Sequence, residues 1–426
     1  MFGFGAAAST APDHQRALNE VVPAVLGQVG ERPDLVVCFF SMEHADAASG
    51  IALGLSERTG TATIIGCTAG GVIGGRRELE DSPALSVWAA RLPGVRVAAF
   101  ALDLVELAEG YGVTGWPDLD PTEHTDVVLL PDPFSFPADS FIRRLNEERP
   151  GIRVIGGMAS GANGPGLHRL LLGAKALEGG AVGVAMTGPV EVRTVVSQGC
   201  RPIGSPFTVT RGEGNLIQEL GGRPALERLR ELIVGASPTD QALLVSGVQM
   251  GRVIDEHKLS FERGDFLIRS LIGVDEESGA LAIGDQVEVG QTLQFHVRDA
   301  AAASEELDLL LAPVAGWNPQ GALLFSCNGR GRRFFHEPDH DAGRVAQATG
   351  DAPMAGFFAQ GELGPVGGQN FLHGFTASMA LFRGRTEPMP AIDRAAEPAA
   401  EPAGEPWPEL ERDLGRDVEP RPAAPA

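Results

Sequence analysis

The 426-residue sequence has only four cysteines, and no two of them form a C-x-x-C pair. This spacing argues against a disulfide framework or a zinc knuckle and favours a reducing, cytoplasmic location. The N-terminal segment MFGFGAAASTAPDH has no lysine or arginine ahead of its short apolar run, so we predict no secretory signal peptide. No apolar run reaches 18 residues, so we expect no membrane insertion.

Positive charge is also scarce, since the formal net charge is −22. Nucleic acid and anionic membranes are therefore poor partners for this chain. Part of the acidity lies beyond Arg383, where proline, alanine and glutamate dominate and nine prolines occur. Such a composition cannot bury a core, so residues 385–426 are predicted to be a disordered acidic tail.

Most catalytic and cofactor motifs are missing as well. The sequence has no G-x-S-x-G, no G-K-[ST] and no C-x-x-C-H, and we expect neither catalytic residues nor a metal site. One H-E-x-x-H occurs at His336–His340, but Pro338 inside it disfavours the single helix that a zinc protease needs. We interpret that segment as the start of a helix near Pro338.

A strand, a helix, a second strand and a glycine-rich loop recur along the chain. The first copy runs from LVVCFF to TAGGVIGG and the second from DVVLLPDP to MASGANGPG. The third runs from ALLFSC to AQGELGPVGG. Such repeats indicate duplicated units that bury their faces against one another. The predicted fold class is therefore α/β (α+β), with repeated units forming mixed, helix-covered sheets in a two-lobed molecule.

Each copy's first strand ends in a polar turn. If the copies face each other, these turns surround one crevice, which is where α/β proteins often bind ligands. For the remaining segments, the sequence predicts secondary structure or disorder but no ligand site. Residues 1–13 are expected to be disordered or loosely attached. Additional strands and two helices are expected between Gln198 and Val314, and ALLVSGV there is interpreted as a decayed copy of the first strand.

Two side chains at the end of the third copy's first strand each allow two interpretations. Cys327 stands beside Asn328 and near Arg330, where a cation could activate its thiol, or it could be a small buried filler. Arg330 could bind a ligand carboxylate in bidentate fashion, or it could form a structural ion pair, for instance with Glu362.

Two further side chains, Glu362 and His373, also allow two interpretations each. Glu362, in a tight turn, could hold an amine or cap backbone amides. His373 could ligate haem or carry a proton, or it could be satisfied by a backbone carbonyl. Gly70 and Gly71 in IIGCTAGGVIGG could cradle a phosphate, but the loop lacks the G-x-G-x-x-G spacing, which favours ordinary turn residues.

The third copy and the segment after it resemble the C-terminal signature of the FIST family, in GALLFSCNGRG, GELGP and NFLHGFT. VVCFFSMEH, IIGCTAGGVIGG, VIGGMASG and SQGCRPIG resemble its N-terminal half. The resemblance implies an N-terminal helical segment (residues 1–32), a FIST N-terminal domain (33–200) and a FIST C-terminal domain (201–384). The motif residues that it carries over as a ligand site are Cys327, Asn328, Arg330, Glu362, Asn370, His373, Thr376, Ser41, Cys67, Gly70 and Gly71.

The resemblance implies an intracellular sensory domain that binds a small metabolite such as an amino acid. No kinase, cyclase or F-box segment is recognisable in the sequence, so a kinase, cyclase or chemoreceptor partner would act in trans. No cofactor is expected in this interpretation. The alternatives are a haem-based nitric-oxide sensor with His373 as axial ligand, and a thiol-dependent enzyme using Cys327.

Overall fold

The continuous apolar segments of the sequence form buried strands in the computed structural model, which describes residues 1–30, 32–107 and 110–385. In the strand LVVCFFS, for example, all seven residues are buried. This is expected for a strand that is covered on both faces of its sheet. None of the helices in these three ranges is long and apolar enough to cross a membrane.

Unit 1 begins with a short strand and a helix and then follows the predicted strand-helix-strand order. Its first long helix starts at the N-cap Asp13, whose carboxylate accepts from the Arg16 amide at 2.8 Å, and ends at Gly30 in the left-handed region. The elements are β1 (Gly3–Ser9), α1 (His14–Val29), β2 (Leu35–Ser41), a 3-10 helix (Met42–Ala47), α2 (Ala48–Thr59), β3 (Ile64–Ala69), β4 (Gly71–Gly74), β5 (Arg77–Glu80) and β6 (Leu85–Arg91).

Unit 2 repeats this order with a single helix. Its elements are β7 (Arg96–Leu107), β8 (Gly110–Thr114), β9 (Thr125–Pro131), α3 (Ala138–Glu148), β10 (Arg153–Gly157), β11 (Leu170–Leu172), β12 (Lys175–Leu177) and β13 (Ala181–Thr187). The strand β14 (Val190–Gln198) follows it and joins the sheet of unit 3.

A small β-domain is inserted between units 2 and 3 and forms the second lobe. The pairings β22–β16–β17–β21–β20–β19–β22 run round a ring, so we call residues 200–298 the barrel domain. Its elements are β15 (Cys200–Pro202), β16 (Phe207–Glu213), β17 (Leu216–Leu220), β18 (Arg223–Pro224), α4 (Ala225–Gly235), α5 (Pro238–Val245), β19 (Val248–Val253), β20 (Phe266–Asp275), β21 (Ala280–Ile283) and β22 (Thr292–Arg298).

Unit 3 carries the third copy of the repeat. Its elements are α6 (Ala300–Trp317), β23 (Gly321–Cys327), α7 (Arg332–Phe335), α8 (His340–Ala348), β24 (Met354–Ala359), β25 (Glu362–Val366), β26 (Gln369–His373) and β27 (Thr376–Gly384). Helix α8 begins at His340, so the interpretation of H-E-x-x-H as a helix start is confirmed. His336 lies outside that helix in the left-handed region, with φ +58°.

The three units exchange hairpins in a cycle. In each unit the first and second strands pair in parallel, as β2–β3, β9–β10 and β23–β24. The hairpin after the second strand then pairs with a different unit. Hairpin β4–β5 of unit 1 joins β24, β11–β12 of unit 2 joins β3, and β25–β26 of unit 3 joins β10. The loops that lead into these hairpins therefore converge.

The sheets share one hydrophobic core. Phe39 of unit 1 packs against Phe357 and Phe325 of unit 3, with ring centroids 4.8 and 6.1 Å apart. Buried side chains of unit 2, including Leu130 and Val184, belong to the same cluster. The three repeats are thus confirmed, and they bury their faces against one another as duplicated units are expected to do.

Two sequence predictions are wrong. Residues 1–13 are not loosely attached, because β1 pairs with β6 from Gly3 opposite Arg91 to Ser9 opposite Leu85. The strand consists largely of glycine and alanine, so it carries little β-propensity, and burial against α1 orders it. ALLVSGV is not a strand, since most of it belongs to α5, which Ser237 caps at its N-terminus. Periodicity cannot separate strand from helix in so short an apolar run.

The predicted disorder of residues 386–426 lies outside the described residues.

Candidate functional site

A polar pocket of about 320 Å³ lies where the converging loops of the three units meet. Unit 1 contributes the residue after β3 and the end of β5, unit 2 the loop after β10, and unit 3 the ends of β23 and β24. We call it the central pocket. It is lined by Gly70, Glu80, Asp81, Gly161, Ala162, Asn163, Asn328, Arg330, Arg333, Phe358 and Gln360.

Ser160 fastens the three units together beside this pocket. Its hydroxyl donates to the backbone oxygen of Phe358 and accepts from the Gly70 amide at 2.9 Å. The next residue, Gly161, has φ +94°, and a Cβ there would lie 2.7 Å from Met42 Cγ. Only glycine fits this crossing of chains without displacement.

A buried Asp132–His168 pair holds the same loop from behind. His168 Nδ1 lies 2.7 Å from Asp132 Oδ1, and the Ala162 amide donates to His168 Nε2 at 3.3 Å. Since Nε2 accepts, Nδ1 carries the proton and donates to the carboxylate. Burial alone would raise the pKa of Asp132, but His168 and Ser135 outweigh it and lower that pKa. The pair orients the pocket wall at Ala162.

Arg330 lies in a buried ion pair with Asp341, the second residue of α8. Nε and Nη2 donate to the two carboxylate oxygens at 2.7 and 2.8 Å. Burial would raise the pKa of Asp341, but the guanidinium and His340 outweigh it and hold that pKa well below its usual range. Nη1 of Arg330 is buried, and no residue that the structure describes accepts a hydrogen bond from it. The structural ion pair foreseen for Arg330 is present, with Asp341 in place of Glu362.

The rim of the central pocket is charged and more exposed. Glu80 accepts from the Arg332 amide at 3.0 Å, while Asp81 lies 3.0 Å from Arg332 Nη2 and 3.5 Å from Arg333 Nη2. Because Asp341 neutralises Arg330, these two acidic side chains and Arg333 set the charge that a ligand would meet.

Glu362 does not line the central pocket. Its Oε2 accepts from the amide and hydroxyl of Thr376 at 3.0 and 2.8 Å, and Oε1 has no hydrogen-bond partner within the described part of the chain. Burial raises the pKa of Glu362 to about 8, against the lowering effect of Thr376. Burial also raises the pKa of the nearby Cys327 thiol, and the charge of Glu362 adds to that increase. The interpretation of Glu362 as a cap of backbone amides agrees with this geometry.

His373 lies on the wall of a different cavity, a cleft of about 930 Å³ between the barrel domain and units 2 and 3. Its Nε2 donates to the Gly364 carbonyl at 2.9 Å, and burial lowers its pKa to about 4. Asn370, three residues earlier, is satisfied by protein groups: its amide contacts Val154 N, Asn146 Oδ1 and Ile152 O. It ties β26 to unit 2.

The other predicted residues make packing contacts or hydrogen bonds within the fold. Ser41 accepts from the Ala84 amide at 2.9 Å, and Cys67 is fully buried, which raises its thiol pKa. A Cβ on Gly71 would lie 3.0 Å from the ring of Phe358. Of the eleven predicted site residues, the structure brings Gly70, Asn328 and Arg330 together in the central pocket.

Sequence reasoning missed most of the pocket's polar lining. Glu80 and Asp81 are charged residues at a strand end and a turn, a pattern that is typical of a solvated surface. The segment MASGAN carried a usable signal, because it is the glycine loop of the second copy and thus equivalent to Gly70. Among the described residues, no three His, Cys, Asp or Glu side chains are grouped to hold a metal ion.

These observations define a class: α/β proteins of three hairpin-exchanging units with an inserted barrel domain and a polar pocket at the centre. The chain belongs to the FIST family. Residues 34–223 match the FIST N domain and residues 225–365 match the FIST C domain. FIST domains are associated with sensing in signal transduction.

Similar chains occur in mycobacteria. An uncharacterized protein of Mycobacterium tuberculosis strain H37Rv is 47% identical over 382 residues, which span 89% of this chain and 99% of the relative. One of Mycobacterium bovis is 44% identical over 382 residues, spanning 89% of this chain and 98% of the relative. A crystal structure of cyanuric acid hydrolase from A. caulinodans aligns over 91% of this chain and 100% of the hydrolase, with 11% identity and a TM-score of 0.31. That score is too low to support any conclusion.

Proposed function

We propose that this protein is a cytoplasmic sensor that binds a small polar metabolite in the central pocket. The observation that carries the proposal is that loops of all three units line one pocket. A ligand there contacts three separate elements at once, so it can bias their relative positions. Ser160 and the Arg330–Asp341 pair give these elements a defined resting arrangement.

The charges of the pocket favour a zwitterionic ligand such as an amino acid. Glu80 and Asp81 would receive its ammonium group, a role that the sequence had suggested for Glu362. Arg333, with 85% of its side chain exposed, and the amides of Asn163 and Asn328 would receive its carboxylate. The Arg330 guanidinium, neutralised by Asp341, would contribute its unpaired Nη1 as a hydrogen-bond donor to the wall.

The output would pass to a separate protein. A kinase, a cyclase or a chemoreceptor in trans is the kind of partner that we propose, because FIST domains are associated with sensing in signal transduction. A ligand-dependent change in the arrangement of the three units would alter the surface that such a partner contacts.

Thermal unfolding with a panel of amino acids and related metabolites tests the proposal. A ligand at 100 times its Kd stabilises the folded state by about 2.7 kcal/mol, which raises Tm measurably. Gly70→Leu should abolish the shift, because the side chain would project toward Asn328 in the pocket. Gly27→Leu, at an exposed position of α1 where a Cβ meets nothing within 4 Å, is the control and should keep the shift. Wild-type protein that responds to no member of the panel would refute the proposal.

Haem binding through His373 stays a prediction. Because Nε2 donates to Gly364, only Nδ1 could ligate iron, and His373 lines the cleft and not the central pocket. Protein produced with haem should then show a Soret band that His373→Ala removes. A colourless protein would end this alternative.

A further inference from the structure

The cleft between the barrel domain and the three-unit core is far larger than the central pocket, about 930 against 320 Å³. It is in the size range of cavities that enclose a drug-sized ligand. The barrel domain supplies Ile268, Arg269 and Asp285 to its walls, and the core supplies Met158 and His373.

The charged groups on these walls are already paired. Arg269 Nε donates to Asp285 at 2.8 Å, and Nη1 donates to the Leu372 carbonyl at 3.0 Å. Its Nη2 lies 3.5 Å from Asp139 of unit 2. A charged ligand would have to break one of these pairs to find its own partner, so the cleft favours an uncharged one.

His373 is the polar group on these walls that is most deeply buried and still has an open acceptor atom. The residue is 3% exposed, and its Nε2 is the donor in the bond to Gly364, because a carbonyl oxygen can only accept. In the neutral imidazole Nδ1 is then an acceptor, and no described residue donates a hydrogen bond to it. Nδ1 is not one of the fully buried polar atoms that lack a partner, so it reaches solvent. Because His373 lines the cleft, a donor supplied by a ligand there would take the place of water on Nδ1.

We propose that this cleft is a second ligand site, for an uncharged planar molecule whose N–H or O–H group donates to His373 Nδ1. Its apolar body would pack against Met158, Ile268, Leu372 and Phe375, which also line the cleft. This inference is independent of the ligand proposed for the central pocket.

The two cavities share a wall. Gln360 lines both of them, and Gly361, the next residue, lines the cleft. Glu362 follows and lies directly opposite His373 in the β25–β26 pairing. A ligand on His373 therefore contacts the hairpin whose entry loop forms part of the central pocket, so occupancy of the cleft should change affinity in the central pocket.

Indole and 1-methylindole are matched probes for this site, since N-methylation replaces the N–H donor with a methyl group on the same planar ring. Indole should bind wild-type protein more tightly than 1-methylindole by about fivefold, the equivalent of one ordinary hydrogen bond. In His373→Phe this ratio should fall to about one. His257→Phe, at an exposed position of the barrel domain, is the control and should keep the ratio.

Two further measurements keep the test decisive if His373→Phe does not fold. Ser270→Trp, on the barrel wall of the cleft, should block both probes while leaving His373 intact. With ¹⁵N-histidine NMR of the wild-type protein, His373 should show an unprotonated Nδ1 whose resonance shifts with indole and not with 1-methylindole. Equal affinities for the two probes, binding of neither, or a protonated Nδ1 would overturn the proposal.

Discussion

Arg330 and Asp341 form a bidentate ion pair that is almost completely buried, with 1% and 0% of their side chains exposed. The pair links the turn after β23 to the first turn of α8, and Arg330 also lines the central pocket. The carboxylate of Asp341 therefore sets both the position and the net charge of one pocket wall.

Removing the carboxylate should destabilise the protein strongly. Asp341→Asn leaves a guanidinium buried without its counter-charge, and changes of this kind lower the free energy of unfolding by about 3–5 kcal/mol. Urea denaturation at neutral pH measures the loss. The control is Asp351→Asn, which breaks the exposed Arg76–Asp351 pair and should change the midpoint far less. If the two variants lost similar amounts of unfolding free energy, burial would not be what makes the Arg330–Asp341 pair important for stability.

The buried Glu362 makes stability depend on pH. Burial raises its pKa in the folded state to about 8, from 4.5 as the ordinary value, so the folded state retains a proton that the unfolded chain releases. The stability that Glu362 contributes through this retained proton is fully present below about pH 4.5. It is lost as the pH rises toward 8. Between pH 5 and 7, this residue should lower the free energy of unfolding by roughly 1 kcal/mol per pH unit.

Glu362→Gln should flatten that dependence. The amide imitates the protonated acid and can still accept from Thr376, so the slope between pH 5 and 7 should decrease relative to wild type by roughly 1 kcal/mol per pH unit. Urea unfolding at several pH values measures both slopes. Glu78 and Glu306, whose pKa values burial raises to about 8 and about 7, remain in the variant and leave a residual slope. Glu57→Gln, at an exposed position of α2, is the control. An unchanged slope in Glu362→Gln would show that this carboxyl is ionised in the folded state.

The repeated core was predictable because its signals are local. Three continuous apolar runs, each followed by a helix and a second apolar run, predict parallel strand pairs, and β2–β3, β9–β10 and β23–β24 are such pairs. The exchange of hairpins was not predictable. A short segment such as Gly71–Gly74 carries no information on which sheet it will join, and its partner β24 lies more than 280 residues away.

The site was predictable only where a residue type is unusual for its position. Asn328 and Arg330 stand out because polar groups directly follow a buried strand, and both line the pocket. Asn370 is also a polar residue that stands out in the sequence, but it does not line the pocket. Its side chain instead forms hydrogen bonds with backbone groups of unit 2. A single sequence cannot tell these cases apart, since the difference lies in long-range hydrogen bonds.

A glycine at the edge of the central pocket should resist substitution. Gly331 has φ +71°, and a Cβ there would lie 2.8 Å from Glu80 Oε2 and 3.0 Å from the Phe358 ring. Gly331→Ala should therefore lower the free energy of unfolding by about 1–3 kcal/mol, through strain and the displacement of these neighbours. The control is Gly75→Ala, with φ +58° and nothing within 4 Å, which adds only the strain. Equal decreases in the free energy of unfolding in the two variants would show that Glu80 and Phe358 move aside at no energetic cost.

The thiols should resist alkylation in the folded protein. All four cysteines are buried, and burial raises the pKa of Cys327, so its reactive thiolate is suppressed at neutral pH. We therefore expect iodoacetamide to label Cys327 in the native protein much more slowly than in urea, as measured by peptide mass spectrometry over time. Cys38, which is fully buried in β2 and lines neither cavity, is the internal control and should be protected to a similar degree. Rapid labelling of Cys327 alone, removed by Cys327→Ser, would restore the thiol-dependent enzyme as a hypothesis, because selective reactivity requires an activated thiolate that burial opposes.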